Sequence, residues 1–198
     1  MWISPSLLTL IVLIALLLWA VTAYNQLVRL RNRIANAFGQ IDVQIKRRHD
    51  LIPNLVEVAR KYVEHEAQTL EAVIRARGLA VGAADAARAK PGDAAAIREL
   101  ANAEQSLSGS LGRLLMLREQ YPALKADQTL HSLSEEITST ENRIGFARQA
   151  YNDQALEFNN AAAQFPALVM ARLFNFEMAA MLQSTQSAAE REVPRVQF

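Results

Sequence analysis

The stretch LLTLIVLIALLLWAVTA (Leu7–Ala23) contains no charged residue, no proline and no glycine. At about 1.5 Å per residue, a helix of this length spans about 26 Å, the short end of what the hydrocarbon core of a bilayer requires. Trp2 precedes the stretch, and Trp19 and Tyr24 lie at its other end, where aromatic side chains collect at membrane interfaces. We therefore predict a transmembrane anchor over residues 1–23.

A cleaved signal peptide is the alternative interpretation of the same stretch. Val21-Thr22-Ala23 has the small-residue spacing that a signal peptidase accepts. Against cleavage, no Lys or Arg precedes the stretch, and its apolar run is longer than that of a usual signal peptide. We predict that the anchor stays on the chain.

The basic residues around the anchor predict its orientation. They follow it closely and do not precede it, and basic residues that flank a membrane span tend to stay in the cytoplasm. We predict a single-pass protein of the inner (plasma) membrane, with its amino terminus outside the cell and the rest of the chain in the cytoplasm. Membrane lipids are expected partners, and the residues expected at the membrane interface are Trp2, Trp19, Tyr24, Arg29, Arg31 and Arg33.

The composition favours one all-α domain after the anchor. The chain has 198 residues with only 7 Gly and 6 Pro, which suits long helices that bury a sizeable core. A formal net charge of +1 gives no reason to expect nucleic acid as a partner. The absence of cysteine excludes a disulfide framework, a thiolate metal site and a cysteine nucleophile.

Apolar residues recur in alternating steps of three and four, the spacing of a coiled-coil-like helical bundle. One stripe after the anchor comprises Leu27, Leu30, Ile34, Phe38, Ile41 and Ile45. A stripe in the middle of the chain comprises Ile97, Leu100, Leu107, Leu111 and Leu114. The longest seam predicts one continuous helix and comprises Leu130, Leu133, Ile137, Thr140, Ile144, Ala147, Tyr151, Gln154, Phe158, Ala162 and Phe165.

Capping and helix-breaking residues predict the helix boundaries. A turn is expected at His49-Asp50, with Asp50 as the next N-cap, because Pro53 fits the first turn of a helix. The glycines of GLAVGAADAARAKPGD predict a loop over residues 78–93. The two later helices are expected to begin at the N-caps Asp93 and Asp127, and the first of them to end at Tyr121-Pro122.

These boundaries give an antiparallel four-helix bundle of long helices over residues 24–165. An apolar carboxyl-terminal segment and tail follow over residues 166–198. One alternative is open at this point. If the chain does not turn at His49-Asp50, the first two helices form one kinked rod, and the soluble part has three helices.

Groups that could perform catalysis or bind a metal are scattered along the chain. Ligands on one helix need a spacing of three or four residues to share a face, as in His-Glu-x-x-His. We therefore predict no catalytic, cofactor-binding or metal-binding residues, and a ring of ligands from facing helices is the remaining alternative. The residues considered, none of which has that spacing, are His49, Asp50, Glu64, His65, Glu66 and His131.

The basic residues farther along the first helix are too far from the bilayer to pair with lipid headgroups. Lys46, Arg47 and Arg48 lie about 35 Å beyond the anchor on a straight helix, several Debye lengths from the bilayer. We expect them to pair with acids of a neighbouring helix or subunit rather than with nucleic acid, because interleaved aromatic residues are lacking. Gly109 and Gly112 are expected to let two helices approach closely.

Several long motifs resemble those of the LemA family. They are LVRLRNRIANAF after Tyr24-Asn25, QIDVQIKRRHDLIPNLVEVARKYVEHEAQTLEAV, LGRLLMLREQYPALKAD and TENRIGFARQAYN, followed by FN and Phe165-Pro166. The resemblance covers nearly the whole chain and implies an antiparallel four-helix bundle on a single membrane span, with a turn at His49-Asp50. It implies no reaction, because the family has no agreed biochemical activity.

The carboxyl-terminal part departs from the family pattern. Where the resemblance implies a short Gly-Phe element and a polar end, this chain has ALVMARLFNFEMAAML at residues 167–182. A soluble monomer rarely leaves so large an apolar surface in water. We expect this segment to contact the membrane or another subunit through Leu168, Met170, Leu173, Phe174, Phe176 and Met181.

Together these features favour a non-enzymatic membrane scaffold. A tether raises the effective concentration of the bundles it confines, so weak lateral contacts can assemble them. We expect a homo-oligomer that organises membrane or partner proteins. The alternatives are a regulatory module that binds a cytoplasmic or membrane protein, and an enzyme that uses a metal in the bundle core.

Overall fold

The computed structural model describes residues 5–182, and every regular element in that range is a helix. Trp2, predicted at the membrane interface, and residues 183–198 of the predicted tail lie outside the described residues. The helices are α1 (Pro5–Arg60), α2 (Ala67–Ala89), α3 (Ala94–Gln120), α4 (Pro122–Ala126), α5 (Gln128–Ala163) and α6 (Ala167–Leu173), with a 3₁₀ turn at Glu64–Glu66.

The second half of α1 forms an antiparallel bundle with α2, α3 and α5. Helix α1 packs most extensively against α5, and α2 against α3. Ion pairs join Arg33 to Glu157 and Arg47 to Glu136, so residue numbers rise along α1 as they fall along α5. The predicted all-α bundle behind one long apolar helix is therefore confirmed.

The predicted turn at His49-Asp50 was wrong, because α1 continues through both residues to Arg60. A proline inside a helix has no N–H to donate to the carbonyl four residues earlier. For Pro53 that carbonyl belongs to His49, and the Nε of Arg77 in α2 donates to it at 2.6 Å. The chain turns instead over residues 61–66, and the bundle keeps four long helices.

The predicted loop over residues 78–93 is mostly helix, and α2 extends to Ala89. Alanine has the highest helix propensity, and the segment contains several alanines whose small side chains pack into the core. Gly78 and Gly82 do not break it, and no other side chain lies close to either glycine. Only residues 90–93 turn, around Gly92 at φ +94°. The buried alanines are Ala80, Ala83, Ala84 and Ala87.

The predicted apolar stripes form the core. Every member of the stripe after the anchor is buried, as is every member of the α3 stripe. On α5 the burial follows the seam from Leu130 to Ala162, and the rings of Phe38 and Tyr151 meet edge to face at 6.2 Å. The prediction was wrong at Phe165, which is 81% exposed because α5 ends before it.

The N-caps of the two later helices are as predicted. The Asp93 carboxylate accepts hydrogen bonds from the amides of Ala95 and Ala96 at 3.1 and 2.8 Å. The Asp127 carboxylate accepts one from the amide of Leu130 at 2.8 Å. Both carboxylates thus satisfy amides that have no partner within their own helix.

Candidate functional site

The first part of α1 projects beyond the bundle. Its leucine, isoleucine and valine side chains from Leu7 to Val21 are exposed, and among the described helices only α1 is long and apolar enough to cross a membrane. The hydroxyl of Thr22 donates to the carbonyl of Leu18 at 3.0 Å, and that of Thr9 to Pro5 at 2.7 Å. These hydroxyl groups are therefore satisfied within the helix, as an apolar environment requires.

The structure brings two of the described interface candidates, Tyr24 and Arg31, against the carboxyl-terminal segment. The ring of Tyr24 lies 4.8 Å from that of Phe174, and the guanidinium of Arg31 lies 5.5 Å from the centre of the Phe176 ring. Arg33 pairs with Glu157 at 3.2 Å. Trp19 packs partly buried against the core, and Arg29 is exposed.

Two asparagines of α5 hold the chain that follows α6. Asn159 donates to the carbonyl of Ala179 at 2.9 Å and accepts from its amide at 2.8 Å. Two turns earlier, Asn152 does the same with Leu182, at 2.7 and 2.8 Å. The hydroxyl of Tyr151 donates to Ala180 at 2.9 Å. Sequence reasoning missed this clamp, although the spacing of the two asparagines places them on one helix face.

The six residues predicted for membrane or subunit contact differ in exposure. Met170 is buried against the bundle, and Leu168 and Phe176 are half-buried. Leu173, Phe174 and Met181 are exposed. The apolar segment therefore has one side on the bundle and one side available for contact.

A buried charge cluster joins three helices in the middle of the bundle. The guanidinium of Arg48 donates to the carboxylates of Glu104 on α3 and Glu141 on α5, and only 2% of the Arg48 side chain is exposed. The Nε2 atom of His49 lies 2.8 Å from the second oxygen of Glu104. The Arg48 Nη1 also reaches the hydroxyl of Ser108 at 3.4 Å.

The expected pairing of the basic run with neighbouring helices is confirmed for two of its three residues. Arg47 donates to Glu136 at 2.6 Å, and Arg48 makes the buried pairs. Lys46 lies at the edge of an open groove between α1 and α2. The basic run predicted acidic partners but not their positions, because the acids lie far along the chain.

Burial sets the charge states in this cluster. Burial first, and then the guanidinium groups of Arg48 and Arg77, lower the pKa of His49 to about 4. Burial, with a contribution from Arg148, lowers the pKa of Arg48 to about 10. At neutral pH Arg48 is therefore charged and His49 is neutral. Because a carboxylate only accepts hydrogen bonds, His49 carries its proton on Nε2 and donates it to Glu104.

Two cavities adjoin the cluster. One of about 280 Å³ lies beside Arg48, between α1, α3 and α5, and Met181 and Leu182 form part of its wall. The other is a groove of about 540 Å³ beside His49, which the paired side chains of Asp42 and Arg88 border. Within residues 5–182 no group of three or more His, Asp or Glu side chains is arranged to hold a metal ion.

The other polar residues considered as candidates lie at the surface or form hydrogen bonds within their own helix. His131 lies on the surface 3.5 Å from Glu135. The hydroxyl of Thr140, within the α5 seam, donates to the carbonyl of Glu136 at 2.7 Å. The expected close approach at Gly109 and Gly112 was wrong, because both face open space.

Comparison with known proteins identifies the family. Residues 37–198 match the model of the LemA family, so the match covers most of the bundle and the carboxyl-terminal segment. This chain belongs to the LemA family. The Asn152 and Asn159 clamp lies within the matched range, as does the Arg48 cluster.

This LemA-family chain is also similar to curated relatives. Magnetosome protein MamQ of Magnetospirillum gryphiswaldense is 26% identical in an alignment of length 180 that covers 83% of this chain and 66% of the relative. Magnetosome protein MamQ 2 of Paramagnetospirillum magneticum is 26% identical over 90% of this chain and 70% of the relative. Protein LemA of Metamycoplasma hominis is 27% identical over 82% of this chain and 69% of the relative. With the apolar first part of α1, these relatives indicate a membrane-associated protein.

Proposed function

We propose that this chain is a membrane-anchored helical scaffold that self-associates and organises membrane or partner proteins. In this proposal the first part of α1 spans the inner membrane and the bundle lies in the cytoplasm. The chain itself performs no reaction. It acts by holding its bundle at the membrane surface, where other copies or other proteins bind it.

The continuity of α1 is the observation that carries this proposal. The same helix supplies the exposed apolar part and the core stripe from Leu27 to Ile45, with no break between them. A flexible linker would let each bundle tumble, whereas a continuous helix fixes the direction in which it stands. Tethered bundles that share one orientation meet at high effective concentration, so weak lateral contacts suffice for assembly.

The mass of the intact chain in a mild detergent tests self-association. The expected result is a protein mass several times the 22.0 kDa of one chain, retained when the protein is diluted at constant detergent concentration. The dilution is the control for chains that share a micelle by chance. A single-chain mass at every dilution would overturn the self-association part of the proposal.

A groove between α3 and α5 favours a second candidate function, a regulatory module that binds one protein partner. The groove has a volume of about 630 Å³ and is lined by Arg118, Glu119, His131, Glu135 and Asn142, among others. Ser139 also lines it, whereas the exposed Ser132 on the same helix does not. This candidate predicts a single-chain mass and a stoichiometric partner that Ser139→Trp releases and Ser132→Trp retains. A partner bound equally by both variants would exclude this groove.

A further inference from the structure

The chain from Phe165 to Phe174 presents large apolar side chains to the outside of the bundle. Phe165 is 81% exposed, Leu173 is 68% exposed and Phe174 is 53% exposed. The opposite side of the same segment is fixed, because Met170 and Ala171 are buried against the bundle. The exposed side chains therefore belong to an ordered surface that the structure leaves uncovered.

This surface lies beside the point where the apolar first part of α1 ends. The ring of Phe174 contacts Tyr24 directly, at 4.8 Å between ring centres. The pairing of α1 with α5 independently places the end of α5 near the level of Tyr24. Arg33 lies about 14 Å along α1 beyond Tyr24. From Glu157, the partner of Arg33, α5 runs about 9 Å back toward Tyr24 and then ends.

Most of the charges around the surface are basic, and the exposed Glu177, which follows Phe176, is the acid nearest to it along the chain. Within residues 165–174 the only charged residue is Arg172, which is exposed. Arg29 is exposed on the adjacent turn of α1, and Arg31 lies over the Phe176 ring. Apolar side chains flanked by arginines suit the boundary between acyl chains and headgroups, where each cation near an anionic surface contributes about 1 kcal/mol.

We propose that residues 165–174 form a second, interfacial membrane contact, seated in the headgroup region of the same bilayer that α1 spans. The inference rests on the proposed anchor. If α1 crosses the membrane up to Tyr24, side chains at the level of Tyr24 that point away from α1 meet lipid. Helix α6 has seven residues and is too short to cross the bilayer, so the contact is an interfacial one. The contact fixes the rotation and tilt of the bundle.

The absence of native cysteine allows a direct test in the full chain. The variant Leu173→Cys is labelled with an environment-sensitive fluorophore and reconstituted into phosphatidylcholine and phosphatidylglycerol vesicles. The vesicles contain lipids with a nitroxide quencher near the headgroup. Phe146→Cys is the matched control, because Phe146 is 75% exposed on α5 and lies about 28 Å farther along the bundle axis than Tyr24.

We expect the fluorophore at position 173 to lose at least about twice as much emission to the quencher as the fluorophore at position 146, since an interfacial helix is buried about 5–10 Å into the headgroup boundary. Equal quenching at the two positions would overturn the inference. Disulfide-linked pairs of the unlabelled Leu173→Cys variant, together with an unquenched fluorophore, would overturn it in favour of contact with a second copy.

A third position separates this inference from the proposed anchor. Leu13 is 63% exposed near the middle of the apolar stretch, and a fluorophore on Leu13→Cys should be quenched by lipids that carry the nitroxide deep in the acyl chain. Quenching at position 13 without quenching at position 173 would overturn the interfacial contact alone. No quenching at position 13 would overturn the anchor and the inference together.

Discussion

Arg47 and Arg48 are adjacent in the sequence but differ in exposure. The Arg47 side chain is 51% exposed and pairs with one carboxylate at the surface. The Arg48 side chain is 2% exposed and pairs with two carboxylates from different helices. Exposed ion pairs contribute little because water screens them, whereas removal of one member of a buried pair leaves an unpaired charge in a poor solvent.

We expect Arg48→Ala to lower the free energy of unfolding by about 3–5 kcal/mol, because it leaves the largely buried carboxylate of Glu104 without its partner, whereas Glu141 is 43% exposed and stays solvated. Arg47→Ala is the matched control, and its expected cost is at most about 1 kcal/mol. The two unfolding free energies are measured by chemical denaturation in the same detergent, with circular dichroism as the signal. Equal costs would show that the cluster is not a buried ion network.

The depressed pKa of His49 predicts a pH dependence of stability. Between about pH 6.5 and its folded-state pKa of about 4, the unfolded chain binds a proton at this histidine and the folded chain does not. The free energy of unfolding should therefore fall as the pH is lowered through this range, by up to about 1.4 kcal/mol per pH unit from this group. Above this range His49 is neutral in both states and contributes no pH dependence.

The variant His49→Gln isolates this contribution, because its amide can still donate to Glu104 but cannot be protonated. We expect its stability to fall less steeply than that of the parent between about pH 6.5 and pH 4. His131→Gln is the control, since His131 is 52% exposed and paired at the surface. Denaturation midpoints across this pH range give the comparison. Parallel pH profiles for the parent and His49→Gln would contradict the depressed pKa.

At the scale of the element, α1 shows what the sequence could and could not predict. Apolar periodicity and capping residues are local properties, so the first predicted the buried stripe from Leu27 to Ile45 and the second predicted the caps Asp93 and Asp127. The continuation of α1 through Pro53 was not predictable in the same way. It depends on a hydrogen bond from Arg77, which a different helix brings into place.

The same reasoning applies to the carboxyl-terminal region. The apolar character of residues 167–182 predicted a contact surface. The division of that surface between bundle and exterior depends on where Asn152 and Asn159 hold the backbone. The family resemblance contained both asparagines, but a motif does not state which backbone amide its side chain meets.

A double-mutant cycle tests the role of Arg77. Arg77→Met should cost about 1–3 kcal/mol of unfolding free energy, because it leaves the carbonyl of His49 without its donor. In the background Pro53→Ala, the new amide at position 53 can donate to that carbonyl, so the cost of Arg77→Met should be smaller. Measurement at about pH 8 keeps His49 uncharged in both states. Equal costs in the two backgrounds would contradict the compensation.

At the scale of the whole molecule, one helix is shared by the proposed anchor and the bundle. The 56 residues of α1 correspond to a length of about 84 Å. In the proposed arrangement α6 lies against α1 where the membrane ends, and the α2–α3 turn around Gly92 lies farther out, beside Ile34. The bundle is thus held at two places near the membrane and extends away from it.

The orientation of this assembly predicts the outcome of a labelling experiment. No Lys or Arg precedes the apolar stretch, whereas Arg29, Arg31 and Arg33 follow it, so we expect the bundle in the cytoplasm. Ala89 is exposed at the end of α2, and Ala89→Cys would be the only cysteine of the chain.

In intact cells Ala89→Cys should resist a membrane-impermeant maleimide, and after permeabilisation it should react fully. The second condition is the control that shows the thiol is accessible in the folded bundle. Efficient labelling in intact cells would place the bundle outside and reverse the proposed topology. A mature chain that starts at Tyr24 would show instead that the apolar stretch is removed. The bundle would then lose its tether, and with it the high effective concentration on which the proposed assembly depends.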